Sequence, residues 1–403
     1  MLGSIYKGMI GMMSYSKGLS NISNNVTNMN TPGYKRTELH FRELVGGKQL
    51  QSGSGQTGYN SGSALGVDAS MSSTVYSQGD IKETENDTDM GIDGAGFFIL
   101  RNGNKSYYTR VGQFEFDDSG YLVDKTFGYR VAGLHNGRLV DINLKNFRSV
   151  DPVATSTISV VGNLSVGSTT HTISDVETYD AEGTKHTLSL EFTNNGAVTS
   201  RSWTIQVTDS DDNVLATGLE VRFNANGSPA EGYNTVSFTI TADDGTESQI
   251  QLNLGDPGSF NQVTNFSSGS TSTAEIEQVD GYAPGVMTGF SINDEGAIEV
   301  EYSNDQTIEA VSIALARFES PDHLINEGSG LLSAQSYQDA IVGTSQTLGL
   351  GSIAGQSIEL SNVDLTGQFT DMIVLQRGYQ ASSQVLTSAN EMLQQLIEAT
   401  KSR

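Results

Sequence analysis

A helix with one apolar residue in every seven and no proline over nearly forty positions must lie along something. This chain closes on such a stretch. From Leu365 apolar residues return at Met372, Tyr379, Leu386 and Leu393, and Gly367 and Gly378 are the only glycines of the run. A sevenfold repeat keeps these side chains on one stripe of a helix. The positions that would complete a coiled-coil seam four residues on are Phe369, Gln376, Ser383, Asn390 and Ile397, polar in the middle, so a strong isolated dimer is not encoded. Asn362 or Asp364 can cap the start by accepting from the free N–H groups of the first turn. A helix from about Val363 to Glu398 would run roughly 50 Å, too long to fold into one small core.

The opposite end offers a partner. Leu2, Ile5, Met9, Met12, Leu19 and Val26 recur at helical spacing, with Ser16 and Ser23 in the same register. Asparagines crowd the end of this helix at 21, 24, 25, 28 and 30, and Thr31-Pro32-Gly33 follows as a stop and a turn, which predicts an end near Met29. Residues 46–66, rich in Gly and Ser, read as a flexible or partner-ordered linker.

From Val67 the apolar period falls to two. One β-rich block runs to about Asn146 and a second from Gly285 to Gly351, and they share a hairpin signature. Phe114 and Phe116 lead through Asp117-Asp118-Ser119-Gly120 to Leu122, as Phe290 and Ile292 lead through Asn293-Asp294-Glu295-Gly296 to Ile298. Both blocks therefore belong to one domain. Between them Leu188/Leu190/Phe192, Trp203/Ile205/Val207, Leu219/Val221/Phe223, Val236/Phe238/Ile240 and Ile250/Leu252/Leu254 alternate as strands of an antiparallel sandwich or barrel. The expected fold is mainly β with long terminal α-helices, nested discontinuous β domains on a coiled-coil-like stem. Its parts are 1–29 with 363–403 as terminal helices, 30–70 with 352–362 as connecting segments, 71–146 with 285–351 as an inner β domain, and 147–284 as an inserted outer β domain.

Charge excludes some partners. Among 403 residues Lys plus Arg is 22 against 47 Asp plus Glu, a net of −25, which argues against a nucleic acid. Residues 147–285 hold 18 acidic and 4 basic residues, a net of −14, whereas residues 1–45 hold five basic against two acidic. With no Cys there is neither a disulfide nor a thiolate metal site. Lys7 and Lys17 interrupt the first twenty residues, so no cleavable signal peptide is expected, and no stretch approaches the ~20 apolar residues of a membrane span.

Catalytic and cofactor chemistry finds no footing. Gly91, Gly94 and Gly96 precede a strand instead of opening a helix, so they read as a turn and not a dinucleotide site. Asp209, Asp211, Asn213 and Glu220 fit positions one, three, five and twelve of a calcium loop, but Val214 stands where the bend needs Gly, so a solvated hairpin turn is expected. His40, His135, His171, His186 and His323 are scattered, and Asp117/Asp118 and Asp243/Asp244 sit in turns. No catalytic residue, metal or cofactor is expected.

Two motifs carry a resemblance. Asn24-Asn25, Asn28, Asn30-Thr31 and Gly33-Tyr34-Lys35 at one end, and Ser361-Asn362-Val363-Asp364-Leu365, Met372-Ile373, Gln376-Arg377, Tyr379-Gln380 and Met392-Leu393 at the other, resemble the signatures of the rod and hook family of bacterial flagellar axial proteins. Gly96 to Val123 is similar to the family's shared β domain. Length, the large insert, Asp180 to Phe192 and the region from Gly281-Tyr-Ala-Pro-Gly285 onward resemble its hook members. The resemblance implies a homopolymer of many copies, a helical tube outside the cell whose terminal helices line an export channel. It implies export by the flagellar type III apparatus without a cleaved signal peptide, and contact with the distal rod protein, the hook cap and the hook–filament junction proteins. Self-assembly is expected to rest on Leu2, Ile5, Met9, Met12, Leu19, Val26, Asn24, Asn25, Asn28 and Asn30, and on Leu365, Phe369, Met372, Gln376, Arg377, Tyr379, Leu386 and Leu393. A rod protein forming a rigid shaft and a secreted β-sandwich adhesin are the competing readings.

Overall fold

The computed structural model describes residues 2–45, 64–242, 245–293, 295–334 and 340–401. The linker reading of 46–66 falls mostly outside these residues, as do Asp243 and Asp244.

The chain begins in helix α1 (Leu2–Thr27) and closes in helix α2 (Leu365–Lys401). Asp364 supplies the cap of α2: its carboxylate accepts from the N–H groups of Thr366 at 3.0 Å and Gly367 at 3.2 Å. Asn362 has another task, described below. Helix α1 ends slightly before the expected Met29, because the Asn28 and Thr27 side chains donate to the carbonyls of Asn24 and Ser23 at 2.9 and 2.8 Å and so compete with helix propagation.

The chain divides into two compact units, one of residues 1–145, 291–299 and 309–403, which includes both helices, the other of residues 146–290 and 300–308. In the first, strand Phe97–Asn102 pairs antiparallel with Lys105–Thr109 and with Arg130–His135, and Leu315–Phe318 pairs with both Phe97–Phe98 and Ala340–Gly343. Phe97, Ile99, Tyr108, Ala132, Ala316, Phe318 and Leu332 fill the core between them. Segments from the far end of the chain complete this unit: Ser352–Gly355 pairs with Met90–Asp93, and Ser357–Glu359 with Ile81–Glu83. Both hairpin turns have one construction. Asp117 and Asn293 each accept, on the side-chain oxygen, the N–H four residues on, from Tyr121 and Ala297, while Gly120 and Gly296 sit at φ +79° and +74°.

The second unit is a sandwich. Thr170–Tyr179, Lys185–Asn194, Ser202–Asp209 and Val214–Arg222 form a four-stranded antiparallel meander. Thr235–Thr241, Glu247–Asn253, Thr157–Asn163, Val263–Thr264 and Glu275–Val279 form the second sheet. The inward residues of the alternating runs meet here, with Trp203, Phe192, Leu190 and Ile205 packed with Ile158, Phe238, Ile250 and Leu252. The second sheet is mixed, not purely antiparallel, since Thr157–Asn163 runs parallel to Glu247–Asn253. Alternation specifies which face of a strand is buried, and it is silent on which strand lies beside it.

Candidate assembly interface at the joined termini

Helices α1 and α2 lie antiparallel, with Asn25 beside Gln368 at one end and Gly8 beside Leu386 at the other. Their contact is built on small residues. A Cβ on Gly11 would come 2.7 Å from Ser382 Oγ, on Gly18 2.7 Å from Leu375 Cδ1, and on Gly378 2.5 Å from the Tyr15 ring. Glycines here let the two backbones approach more closely than larger side chains permit. Gly8, Ser14, Gly18, Ile22 and Asn25 are buried along α1, and Gln368 and Ala389 along α2.

The predicted stripes lie beside this seam. On α2, Leu365, Met372, Leu386 and Leu393 are half-buried and Tyr379 is exposed, and the positions that complement the first four of the stripe come three residues after them, Gln368, Leu375, Ser382 and Ala389. Phe369, Gln376 and Arg377 are exposed. On α1, Ile5, Met12, Leu19, Val26 and Asn28 are half-buried, Asn25 is buried, and Met9, Asn24 and Asn30 are exposed; the Leu2 side chain lies outside the described residues. The seam itself was missed, because Gly and Ser score as gaps in an apolar pattern. Gly8, Gly11, Ser14 and Gly18 recurring every three or four residues is the signal that reveals it.

Each helix keeps an apolar face uncovered. Tyr6, Met9 and Met13 lie on the side of α1 away from the glycines, Met13 59% exposed. On α2 Val374, Val385, Met392 and Leu396 recur at spacings that place them within about 40° of one line, and all are about half exposed or more.

A buried polar knot fixes where the helices meet the β unit. Asn25 Nδ2 donates to the Thr37 carbonyl and to Gln368 Oε1, each at 2.9 Å, and its Oδ1 accepts from the Thr37 N–H at 3.0 Å and from the Tyr34 hydroxyl at 3.2 Å. Asn21 exchanges two further bonds of 2.6 Å with Thr37. Asn362 accepts from the Arg36 N–H at 2.7 Å and donates to the carbonyls of Val75 and Ser77. The asparagine-rich motif thus holds the end of α1, the first strand and the start of α2 together, and the burial of Asn25 and Gln368 makes the bond between them costly to break. Burial raises the ordinary pKa of the Tyr34 phenol, keeping it a neutral donor.

Beneath the knot lies a charged clamp. Glu359, fully buried, accepts from Lys35 Nζ at 2.6 Å, from the Gly79 N–H at 2.8 Å and from an Arg110 terminal nitrogen at 3.2 Å. Lys35 also donates to the Ser77 carbonyl and Arg110 to the Gly94 carbonyl, at 2.8 and 2.7 Å. Burial pulls both cations below their ordinary pKa values, and Glu359 opposes that fall. One carboxylate from the end of the chain therefore ties its beginning, through Lys35, to the β unit, through Arg110. Gly79 admits no side chain, since a Cβ would sit 2.1 Å from the Leu360 carbonyl oxygen.

The other candidate sites resolve into local structure. The Asp209 carboxylate accepts from the N–H groups of Asp211 and Asn213 and from the Asn213 side chain, and Glu220 pairs with Arg222 at 2.8 Å, so the calcium-loop residues form a turn and an ion pair. Gly94 and Gly96, at φ +110° and +138°, make the turn between strands Met90–Asp93 and Phe97–Asn102. Among the described residues no three His, Asp or Glu converge as metal ligands, and no helix is long and apolar enough to cross a membrane.

Terminal helices paired with each other and tied by one knot to an interrupted β unit make up the architecture, and the matched family models place it among the axial subunits of the bacterial flagellum. Residues 5–35 match the flagella basal body rod protein model, 91–166 the flagellar hook protein FlgE/F/G D1 domain, 163–282 the flagellar basal body protein FlaE D2 domain, and 354–399 the flagellar basal body rod FlgEFG protein C-terminal model. The flagellar hook protein FlgE of Treponema pallidum is 31% identical, that of Rhizobium meliloti 30% and that of Borreliella burgdorferi 27%, each covering 98% of this chain and at least 98% of its own length. The fold is similar to that of Helicobacter pylori flagellar hook protein FlgE2, with TM-score 0.51 and 14% identity over 69% of this chain and all of that one. The chain belongs to the flagellar hook protein family, and it is a structural subunit, not an enzyme. Its place is the hook, where the family assembles as a homopolymer.

Proposed function

We propose that many copies polymerise through the terminal helices into a flexible tube that carries motor torque from rod to filament as a universal joint. The observation that carries this reading is the uncovered apolar face: the glycine seam is satisfied within one copy, so Tyr6, Met9 and Met13 on α1 and Val374, Val385, Met392 and Leu396 on α2 are left for other copies. Burying apolar surface contributes about 25 cal/mol per Å² and repeats in every subunit, so these contacts can hold. Polar positions such as Gln376 and Asn390 keep the grip moderate. The acidic surface of the sandwich can slide, because exposed charge contacts are individually weak.

The terminal helices would then form the wall around a channel. Passage of the unfolded chain through the flagellar type III apparatus, without a cleaved signal, supplies subunits to the growing end. The distal rod protein, the hook cap and the hook–filament junction proteins are the neighbours at the two ends of such a tube. Electron microscopy of polymers grown from purified protein tests the joint: curved or supercoiled tubes are expected, and uniformly straight, rigid ones would instead support a drive shaft.

A further inference from the structure

Beside the clamp lies a cavity of about 440 Å³. Lys35 and Arg110 line it together with Tyr34, Tyr76, Phe97 and Gln113, and among the described residues no Asp or Glu lines it. That composition is unusual in a chain with 47 acidic residues and 22 basic ones. The clamp itself holds two cations against one carboxylate. Their side chains are 7% and 6% exposed, and both are held by Glu359. The group therefore carries one positive charge that no carboxylate of its own balances.

We propose that this cavity receives an Asp or Glu side chain from a second copy of the chain, so that each subunit docks an acidic segment of its neighbour against Lys35 and Arg110. The inference rests on the homopolymer reading and adds to it a polar, charge-selective contact separate from the apolar faces of the helices. Complementarity favours this occupant, since a chain of net charge −25 carries 47 acidic residues against 22 basic ones. The aromatic walls would bury the carbons of the incoming side chain while the guanidinium and ammonium groups take its oxygens, a charge-assisted arrangement stronger than a neutral one.

Two measurements test it. Benzoylphenylalanine placed at Gln113, on the cavity wall and outside the clamp, is irradiated in the polymer and in the monomer. The expected product is a cross-link between copies, found only in the polymer, to a peptide whose attachment point lies next to Asp or Glu. A polymer that forms but yields only cross-links within one copy, or links to a segment without a carboxylate, overturns the proposal; wild-type protein that never polymerises overturns the homopolymer reading and this one with it. Ser329 lines the same cavity at φ +49°, a conformation Asp and Asn both tolerate. Ser329→Asp should raise the critical concentration for polymerisation about tenfold by like-charge repulsion, with an unchanged melting curve, and Ser329→Asn should assemble as wild type. Equal behaviour of the two variants contradicts recognition of a negative charge.

Discussion

Glu359 joins three distant parts of the chain through Lys35, Gly79 and Arg110, and nothing near it in sequence says so. Its partner Lys35 is 324 residues away, and a one-dimensional pattern carries no trace of a contact at that distance. The sequence motif Gly33-Tyr34-Lys35 was legible as a signature; its purpose was not, because the reason for each residue lies across the fold. Glu359→Gln keeps the side chain's shape but leaves Lys35 and Arg110 buried without a counter-charge. Removing one partner of a buried ion pair costs about 3–5 kcal/mol, so urea unfolding of the variant should show a loss of that size, against a near-neutral result if the clamp were solvent-screened. A second residue makes a prediction in pH. Burial pushes the Asp180 carboxyl up, but bonds from His186 and from the N–H groups of Thr184 and Glu182 outweigh that and hold it below the ordinary aspartate value. A carboxyl depressed in the folded state stabilises it above about pH 4 and loses that contribution as pH falls below. The melting temperature of Asp180→Asn should therefore fall less steeply than wild type between pH 5 and pH 3, on the order of one bond's worth.

At the scale of elements, what could be read depended on whether the pattern was apolar. Strand periodicity placed Leu190, Phe192, Trp203 and Ile205 in a core, and they are there, because alternation directly reports one buried face. The helices were legible as helices, while the way they meet was not, since the contact uses Gly8, Gly11, Gly18 and Gly378, which add no hydrophobicity and lower helix propensity. Their presence is explained by closeness of approach. Substitution separates the two roles of glycine. Gly378→Val should destabilise the helix pair by about 1–3 kcal/mol through overpacking on the Tyr15 ring, whereas Gly3→Ala, where a Cβ meets nothing within 4 Å, should stabilise it by about 0.5–1 kcal/mol. Thermal melts followed by circular dichroism at the helix band would measure both, and equal effects would show that the seam is not close-packed.

On the scale of the whole molecule, one copy satisfies some of its contacts internally and leaves others for its neighbours. The glycine seam and the asparagine knot are closed within the chain, and with the Glu359 clamp they set the geometry of the terminal helices. The apolar faces around Met13 and Val385 are open, and polymerisation is the use that the hook family makes of such a subunit. The nested order of helix, β, inserted β, β and helix could be read from composition and period alone. Whether an apolar stripe faces its own chain or another could not, because both bury the same kind of residue. One measurement decides this for α2: Val385→Asp with Met392→Asp, followed by sedimentation and electron microscopy under conditions in which wild-type protein forms tubes, with helix content recorded on the monomer. The account predicts wild-type helix content, an intact seam and no tubes, and normal tubes from the double variant would contradict it.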